Sequence, residues 1–319
     1  MSRTIIRRCL PLLACLLVAS PLAACAGADD ATQPPEQEAS APPAQGEGAT
    51  QDPALLPTAP PSATQSATPD PNLPGFPYAL AFDPSDPTRA YFTWRGGLLA
   101  STDGGATWQA LPQSKTPGDT EVHHVVVDGT GTIFLGGPGN FRFSDDGGTI
   151  WQDVPGAGTA DVRGLVFNSE DQLLLLDGES GVMTAQADGT WQSIGSPPGR
   201  AYGLWPIDQD RLASLDLESD TVSVSSDGGR TWEALPDAPP GKLHGLASNG
   251  ADLLYAATNT GLQRSEDAGA TWQSVGPFTA VIGVASPPGA PDSAIVVIPG
   301  GNVYRSDDRG ETWPGSPEE

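Results

Sequence analysis

The sequence predicts an all-β fold, a single β-propeller of six four-stranded blades. Three observations lead to this prediction. An eight-residue pattern ending in tryptophan occurs six times, with its tryptophans 40 to 43 residues apart, and a fixed period of this size indicates a repeat architecture. Each repeat divides into four short runs of strand-forming residues separated by turn residues. No segment after residue 72 reads as a long amphipathic helix, and four-stranded units repeated around a ring form a propeller.

The six copies of the pattern, which we call boxes, follow S-x-D-x-G-x-T-W. Five fit it well, whereas the third lacks the leading serine and one further residue, so we expect a weaker turn there but not a missing blade. The copies are STDGGATW (101–108), SDDGGTIW (144–151), TAQADGTW (184–191), SSDGGRTW (225–232), SEDAGATW (265–272) and SDDRGETW (306–313).

The fifth repeat illustrates the expected strands, which are HGLAS (244–248), LLYAAT (253–258), GLQRS (261–265) and TWQSV (271–275). The sixth repeat differs, because only PGSPEE follows its box and prolines make a poor strand. The last blade therefore either has three strands or is completed from the N-terminal side by residues 64–76.

The box resembles the Asp box (BNR repeat) of sialidases, sortilins, Asp-box glycoside hydrolases such as xyloglucanases, and photosystem II assembly factors. The resemblance covers about residues 72–319 and implies that each box is the hairpin between the third and fourth strands of a blade. There, an aspartate accepts hydrogen bonds from backbone N–H groups, a glycine adopts positive φ, and a tryptophan packs on its neighbours. Calcium binding is not expected, because no box has a 12-residue ligand set ending in glutamate. The structural residues are Asp103, Asp146, Asp188, Asp227, Asp267 and Asp308, with Trp108, Trp151, Trp191, Trp232, Trp272 and Trp313.

Residues 1–25 read as a signal peptide. Three arginines precede an apolar run over residues 9–22, which is too short for a permanent membrane span. The sequence LAAC at 22–25 resembles the lipobox of bacterial lipoproteins, which implies cleavage before Cys25 and attachment of lipid to its thiol. Two or three acyl chains would anchor the protein stably on the extracytoplasmic side of the bacterial cell membrane. An ordinary cleavage site with an incidental cysteine is the alternative.

Residues 26–72 are rich in Pro, Ala, Gln, Thr and Glu and have few large apolar side chains. Such a segment cannot offset its ordering entropy by burial, so we expect a disordered tether; a glycosylated stalk or a wall-crossing spacer are alternatives. Residues 73–319 then form the one folded domain. All three cysteines lie within residues 1–25, so disulfides, a cysteine nucleophile and thiolate metal sites are excluded from that domain.

The sequence has 15 basic and 39 acidic residues and a formal net charge of −24, which becomes −27 when the three arginines of the signal are removed. A protein this acidic is repelled by nucleic acid and by anionic headgroups, so we exclude both as partners and expect membrane contact only through the lipid. We expect a monomer without a cofactor.

A ligand site is expected on the face opposite the boxes, at the mouth of the central channel. Aligning the first strands of the repeats places one residue of each in a ring around this mouth. The candidate ligand-binding residues are Tyr78, His124, Arg163, Tyr202 and His244, with Ile282 in the sixth repeat. Aromatic faces would stack on sugar or peptide, and Arg163 would pair with a carboxylate. A polar lining of a wet channel is the alternative; a metal site is not predicted, since ring spacing does not provide metal-ligand distances.

The loops between second and third strands carry weak candidates for catalysis. These are Asp177 and Glu179 in LLLLDGES (173–180), and Asp216 and Glu218, followed by Asp220, in SLDLESD (214–220). Facing carboxylates about 5–10 Å apart can act as acid and base in glycoside hydrolysis, whereas the alternative is solvated surface. Other charged residues expected on this face are Arg95, Glu121, Asp161, Arg200 and Lys242.

The sequence favours a binding protein over an enzyme. Sialidases carry a Phe/Tyr-Arg-Ile-Pro motif before the first box, and here the nearest string is FRF at 141–143, before the second box. Xyloglucanase-like enzymes need two propellers, sortilin propellers are larger, and photosystem II assembly factors rely on a basic patch. We therefore predict a lipid-anchored propeller that binds a protein, peptide or glycan. A glycoside hydrolase or lyase on the same face is the alternative, and a purely structural role is a third possibility.

Overall fold

The computed structural model describes residues 77–94, 97–111, 122–157, 160–208, 211–249 and 253–316. The predicted signal peptide, Cys25 and the tether lie outside these ranges, as do Arg95 and Glu121. No helix capable of crossing a bilayer occurs in the six described ranges. Within them the chain forms 23 strands in six antiparallel sheets.

Each sheet is one blade, and its strands follow one another in chain order. Blades 1 and 2 comprise β1 (Pro77–Asp83), β2 (Asp86–Trp94), β3 (Gly97–Ser101) and β4 (Gln109–Ala110), then β5 (His124–Val127), β6 (Ile133–Gly137), β7 (Asn140–Ser144) and β8 (Gln152–Asp153). Blades 3 and 4 comprise β9 (Val162–Phe167), β10 (Leu173–Asp177), β11 (Gly181–Ala185) and β12 (Trp191–Gly195), then β13 (Ala201–Pro206), β14 (Leu212–Asp216), β15 (Val222–Ser225) and β16 (Glu233–Ala234). Blades 5 and 6 comprise β17 (Leu243–Ser248), β18 (Leu254–Thr258), β19 (Gly261–Ser265) and β20 (Gln273–Val275), then β21 (Gly283–Ala285), β22 (Ala294–Val297) and β23 (Val303–Ser306).

The first strands of the blades form a closed inner ring. Each contacts the first strand of the next blade, and β21 of blade 6 contacts β1 of blade 1. The predicted six-bladed propeller is thus confirmed. The second strands of blades 2, 5 and 6 are buried throughout, because both faces of each sheet are covered by neighbouring blades. The outer strands are only two to five residues long and largely exposed.

Blade 6 has three strands within the described part of the chain. After its box the chain turns at Pro314 and Gly315, and the N–H of Ser316 donates to the carbonyl of Trp313 at 3.1 Å. Pro314 lies where a fourth strand would begin, and no such strand forms in the described residues up to 316, as expected. Residues 64–76 lie outside the described ranges, so their alternative role in this blade stays a prediction.

Four boxes share one hydrogen-bond network, shown here for blade 5. The hydroxyl of Ser265 donates to Oδ1 of Asp267 at 2.8 Å and accepts the N–H of Gly269 at 2.8 Å. Oδ1 of Asp267 also accepts the N–H of Thr271 at 2.8 Å, and Oδ2 accepts its hydroxyl at 2.7 Å. Gly269 has φ +94°, a conformation that side chains disfavour. The equivalent bonds occur at Asp103, Asp227 and Asp308.

Two boxes depart from this network. In blade 2 the order of the last residues is Thr149-Ile150, so Ile150 donates only its N–H to Asp146, at 2.9 Å, and the residue is 61% exposed. In blade 3 the shortened box leaves Asp188 with hydrogen bonds to Thr190 alone among the described residues. Blade 3 still has four strands, as predicted; the expected weakness of its turn stays a prediction.

Six hydrophobic clusters lie at the six interfaces between blades, and each includes the box tryptophan of the later blade. The tryptophan packs on the preceding blade, so Trp151 packs on blade 1, Trp191 on blade 2, Trp232 on blade 3, Trp272 on blade 4, Trp313 on blade 5 and Trp108 on blade 6. Trp313 is the most buried and meets the ring of Phe278 edge-on, with centroids 5.1 Å apart. The box therefore fastens each blade to the one before it.

We predict that Ile150→Thr stabilises the protein, because a threonine there can donate its hydroxyl to Asp146 as Thr107, Thr231, Thr271 and Thr312 do to their own aspartates. The expected rise in the thermal midpoint is about 1–2 °C, measured by calorimetry. Ile150→Val is the matched control, since valine has the shape of threonine without the hydroxyl. Equal midpoints for the two variants would contradict the prediction.

The boxes also predict acid sensitivity. The backbone N–H of Thr231 foremost holds the pKa of Asp227 at about 2, and the hydroxyl of Thr271 does the same for Asp267, against an ordinary value of 3.8. Because these pKa values are lower in the folded state, their stabilisation is complete above pH 4 and is lost as the pH falls towards 2. Urea denaturation between pH 2 and 6 measures this loss. Asp267→Asn should make the free energy of unfolding less dependent on pH. An unchanged slope would show that the acid sensitivity does not arise in the boxes.

Candidate ligand site at the channel mouth

The direction of the strands separates the two faces of the propeller. Since neighbouring strands are antiparallel, the entry to each first strand and the loop between the second and third strands lie at one end, and the boxes lie at the other. Four of the five predicted ligand-binding residues, His124, Arg163, Tyr202 and His244, are described and lie at or near the start of first strands, on the box-free face. Tyr78 lies in β1, and its side chain is outside the described part.

His124 and Tyr202 meet across the channel mouth. Their ring centroids are 5.3 Å apart at an interplanar angle of 52°, although His124 belongs to blade 2 and Tyr202 to blade 4. Side chains from blades that are not adjacent can touch only if both reach past the inner strand of blade 3. A third ring, His123, lies edge-on to His124 at 6.3 Å. These three rings form what we call the mouth cluster.

The register of the first strands explains how the side chains of Arg163 and His244 are oriented. In blades 1, 3 and 5 the predicted residue is the extra residue of a β-bulge, a feature that redirects side chains. Tyr78 falls between the pairs of Pro77 and Ala79, and Arg163 and His244 occupy the same place in β9 and β17. The bulges therefore separate these residues from the alternating core positions of their strands.

Blade 2 differs by one residue from the sequence alignment. His124 is paired with Gly136, and the N–H of His123 also donates to the carbonyl of Gly136, at 2.8 Å. His123, which the sequence analysis missed, thus holds the bulge position. His124 instead takes the position that is glycine in GLVF, GLWP, GLAS and GVAS. Its imidazole occupies space at the mouth that those blades leave empty of a side chain.

His124 carries a buried nitrogen that no described residue pairs. The residue is only 9% exposed, and its Nε2 has no hydrogen-bond partner in the part of the chain that the structure describes. Burial, together with the neighbouring His123, lowers the pKa of His124 to about 3, so the ring is neutral at pH 7. An unpaired buried polar atom costs about 1–3 kcal/mol, so in a native fold it calls for an explanation, such as strain, a functional role or a bound water or ion.

Two cations at the mouth, Arg163 and Lys242, are paired with carboxylates of the protein. Nε and Nη2 of Arg163 both donate to Oδ2 of Asp161, at 2.9 and 2.7 Å. The guanidinium lies so close to Gly178 that a Cβ there would be 2.6 Å from Cζ. Nζ of Lys242 lies 2.7 Å from Oδ1 of Asp220. Burial and the charge of Lys242 lower the pKa of the half-buried His244. A ligand carboxylate at Arg163 would therefore compete with Asp161.

The candidate catalytic carboxylates have structural hydrogen bonds. Oδ1 of Asp177 accepts the N–H groups of Glu179 and Ser180 at 3.1 and 2.8 Å, and Oδ2 accepts the N–H of Asp161 at 3.0 Å. Asp177 thereby ties the loop between the second and third strands to the entry of blade 3. Its pKa is lowered, since these hydrogen bonds outweigh the opposing effect of burial.

Asp216 performs the same task in blade 4. Its Oδ1 accepts the N–H groups of Arg200 and Glu218 at 2.9 and 3.1 Å, and its Oδ2 accepts the hydroxyl of Ser219 at 2.6 Å. The Ser219 hydroxyl foremost lowers the pKa of Asp216. In blade 5, Asn259 accepts the N–H of Lys242 at 2.7 Å in the corresponding loop. A general acid needs a raised pKa, so Asp177 and Asp216 are poorly suited to that role.

Glu179 and Glu218, the other two candidates, are exposed at the loop tips. No group of three or more histidines, cysteines or carboxylates that could hold a metal ion occurs in the described ranges. A cleft of about 840 Å³ opens on the box face between blades 1 and 2 and is lined by Asp86, Tyr91 and Asp146 among others. It lies away from the predicted site.

Comparisons with known proteins show the fold and nothing finer. The sequence matches no protein-family model and no curated protein. YCF48 from Cyanidioschyzon merolae is similar in structure, with a TM-score of 0.50 and 16% identity over 75% of this chain and 84% of that chain. A gluconolactonase from Xanthomonas campestris gives a TM-score of 0.55 and 15% identity over 72% and 85%. A chain of the nidogen/laminin complex gives 0.52 and 16% over 66% and 84%.

We predict that Asp177→Ala lowers the free energy of unfolding by about 1–2 kcal/mol, because it removes the acceptor of three backbone N–H groups. Glu179→Ala, two residues away on the same exposed loop, should change it by no more than about 0.5 kcal/mol. Chemical denaturation of the purified protein measures both. Equal stability of the two variants would show that Asp177 does not hold the loop.

Proposed function

We propose that residues 73–319 form an Asp-box propeller that binds a protein, peptide or glycan at the mouth of its central channel. The mouth cluster is the observation that carries this proposal. It brings His123, His124 and Tyr202 together from two separate blades and leaves Nε2 of His124 buried and unpaired. Sites of this kind combine aromatic surface with a few convergent polar groups.

The boxes support the choice of face. Their serine, aspartate and threonine side chains are engaged with one another and with their own backbone, and their tryptophans are used in packing between blades. The box residues themselves are therefore engaged within the fold, whereas the opposite face carries the unpaired Nε2 of His124. Family membership is inferred from the box pattern and the hairpin position of the boxes.

We further propose that a lipid on Cys25 anchors the protein to the outer side of the cytoplasmic membrane, and that residues 26–72 act as the tether. The support is in the sequence, namely the arginines, the apolar run and LAAC at 22–25. Anchoring would keep the protein near the membrane without use of its acidic surface, which anionic headgroups repel. The channel mouth would then face exported proteins or cell-surface glycans.

The test is a binding experiment on the purified full-length protein in detergent, screened against arrays of glycans and peptides and against exported proteins. Tyr202→Ala is expected to lower the affinity for the ligand at least tenfold, as truncation of a central aromatic residue does in other interfaces. Arg230→Ala, on an exposed box, is the matched control and should leave affinity unchanged. If Arg230→Ala weakened ligand binding and Tyr202→Ala did not, the proposal would be contradicted. Turnover of fluorogenic glycosides that is lost in Asp177→Asn or Asp216→Asn would show an enzyme instead.

A further inference from the structure

We propose that the mouth cluster binds an uncharged carbohydrate, in preference to an acidic sugar or a charged peptide end. This inference rests on the proposed function and names the ligand class of the same site. It follows from three properties of the mouth: its rings, the unpaired nitrogen and the balance of charge.

The unpaired nitrogen favours a hydroxyl group. Nε2 of a neutral imidazole either donates or accepts, depending on the tautomer. A hydroxyl can do both, so it satisfies Nε2 of His124 in either tautomer. A carboxylate only accepts and an ammonium group only donates, so each matches one tautomer alone. His124 stays neutral because burial lowers its pKa to about 3, which removes the positive charge that would attract an anion.

The rings favour a sugar as the bearer of that hydroxyl. Tyr202 is half-buried and tilted by 52° against His124, and His123 stands edge-on to His124 at 6.3 Å. This arrangement presents ring surface beside the buried Nε2 of His124. A sugar offers the complementary pair, an apolar face of C–H groups and hydroxyls along its edge. Sites with mostly apolar walls and a few placed polar groups are the general pattern for small ligands.

The charge around the mouth opposes an acidic ligand. Arg163 and Lys242 are paired with Asp161 and Asp220, at 2.7 Å each. Arg200 is exposed next to the entry of blade 4, where solvent screens its charge. The same entry segments and loops of blades 3 to 5 carry more carboxylates than cations, namely Asp161, Asp177, Glu179, Asp216, Glu218 and Asp220 against Arg163, Arg200 and Lys242. An anionic sugar would meet net repulsion here.

The experiment uses pairs of oligosaccharides that differ by one acidic residue. Neutral oligosaccharides ending in glucose, galactose, mannose or N-acetylglucosamine are each compared with a counterpart extended by sialic or uronic acid. Binding to the full-length protein in detergent is followed by calorimetry and by the imidazole NMR signals of His124. We expect one or more neutral members to bind and to shift these signals, and the acidic counterpart to bind at least tenfold more weakly.

Two variants sharpen the result. Asp161→Asn removes the negative charge that neutralises Arg163 and should raise affinity for the acidic member at least threefold, with affinity for the neutral member unchanged. His124→Phe keeps a ring but removes Nε2, and should lower the affinity for the neutral member at least tenfold.

Equal or tighter binding of the acidic member would overturn the inference, and so would silence of the whole neutral panel. In the second case, a peptide or exported protein whose binding depends on Tyr202 would leave the proposed function standing. The absence of any Tyr202-dependent ligand would remove both.

Discussion

Each box places a tryptophan on the sheet of the preceding blade, and the six resulting clusters hold the ring together. The position of the ring depends on the turn, because the serine, aspartate and threonine of the box fix the hairpin from which the tryptophan projects. Hydrogen bonding and packing are thus coupled within eight residues. This coupling explains why the same pattern recurs at one point in every repeat.

Closure of the ring depends on the same contact. Blade 6 has no fourth strand in the described part of the chain, so blades 1 and 6 are joined there by side chains. Trp108 packs with residues of blade 6, a Cβ at Gly105 would lie 2.8 Å from Ile295, and Arg305 donates to the carbonyl of Gly104 at 3.4 Å. The first box therefore closes the ring by joining blade 1 to blade 6.

The boxes join the blades on one face of the propeller, and the proposed ligand site lies on the other. A second repeated device, Asp177, Asp216 and Asn259, ties the loops of that face to the entries of blades 3, 4 and 5. With those loops held, the mouth cluster is carried by inner strands that are packed on both sides. A site on such a scaffold can keep a polar atom unpaired without the surrounding backbone moving to cover it.

The sequence was sufficient to predict the blades, because box spacing and strand patterns are local. In the fifth repeat the predicted third strand coincides with β19, and the others differ by one or two residues. The fourth is shorter than predicted because Thr271 is bonded into the box turn. The register of blade 2 was not predictable, since HHVVV contains no glycine to mark the bulge. The role of Asp177 was not predictable either, because the backbone N–H that it accepts belongs to Asp161, 16 residues earlier.

The most direct test of the central claim is hydrogen exchange on the Trp108→Ala variant. If the box tryptophans hold one closed ring, opening it between blades 1 and 6 destabilises the whole propeller, by about 2–3 kcal/mol for loss of a partly buried tryptophan. The exchange rates of the amides in β14 (Leu212–Asp216), on the far side of the ring, should then rise by the same factor as those in β2 (Asp86–Trp94). Faster exchange confined to blades 1 and 6 would contradict the account.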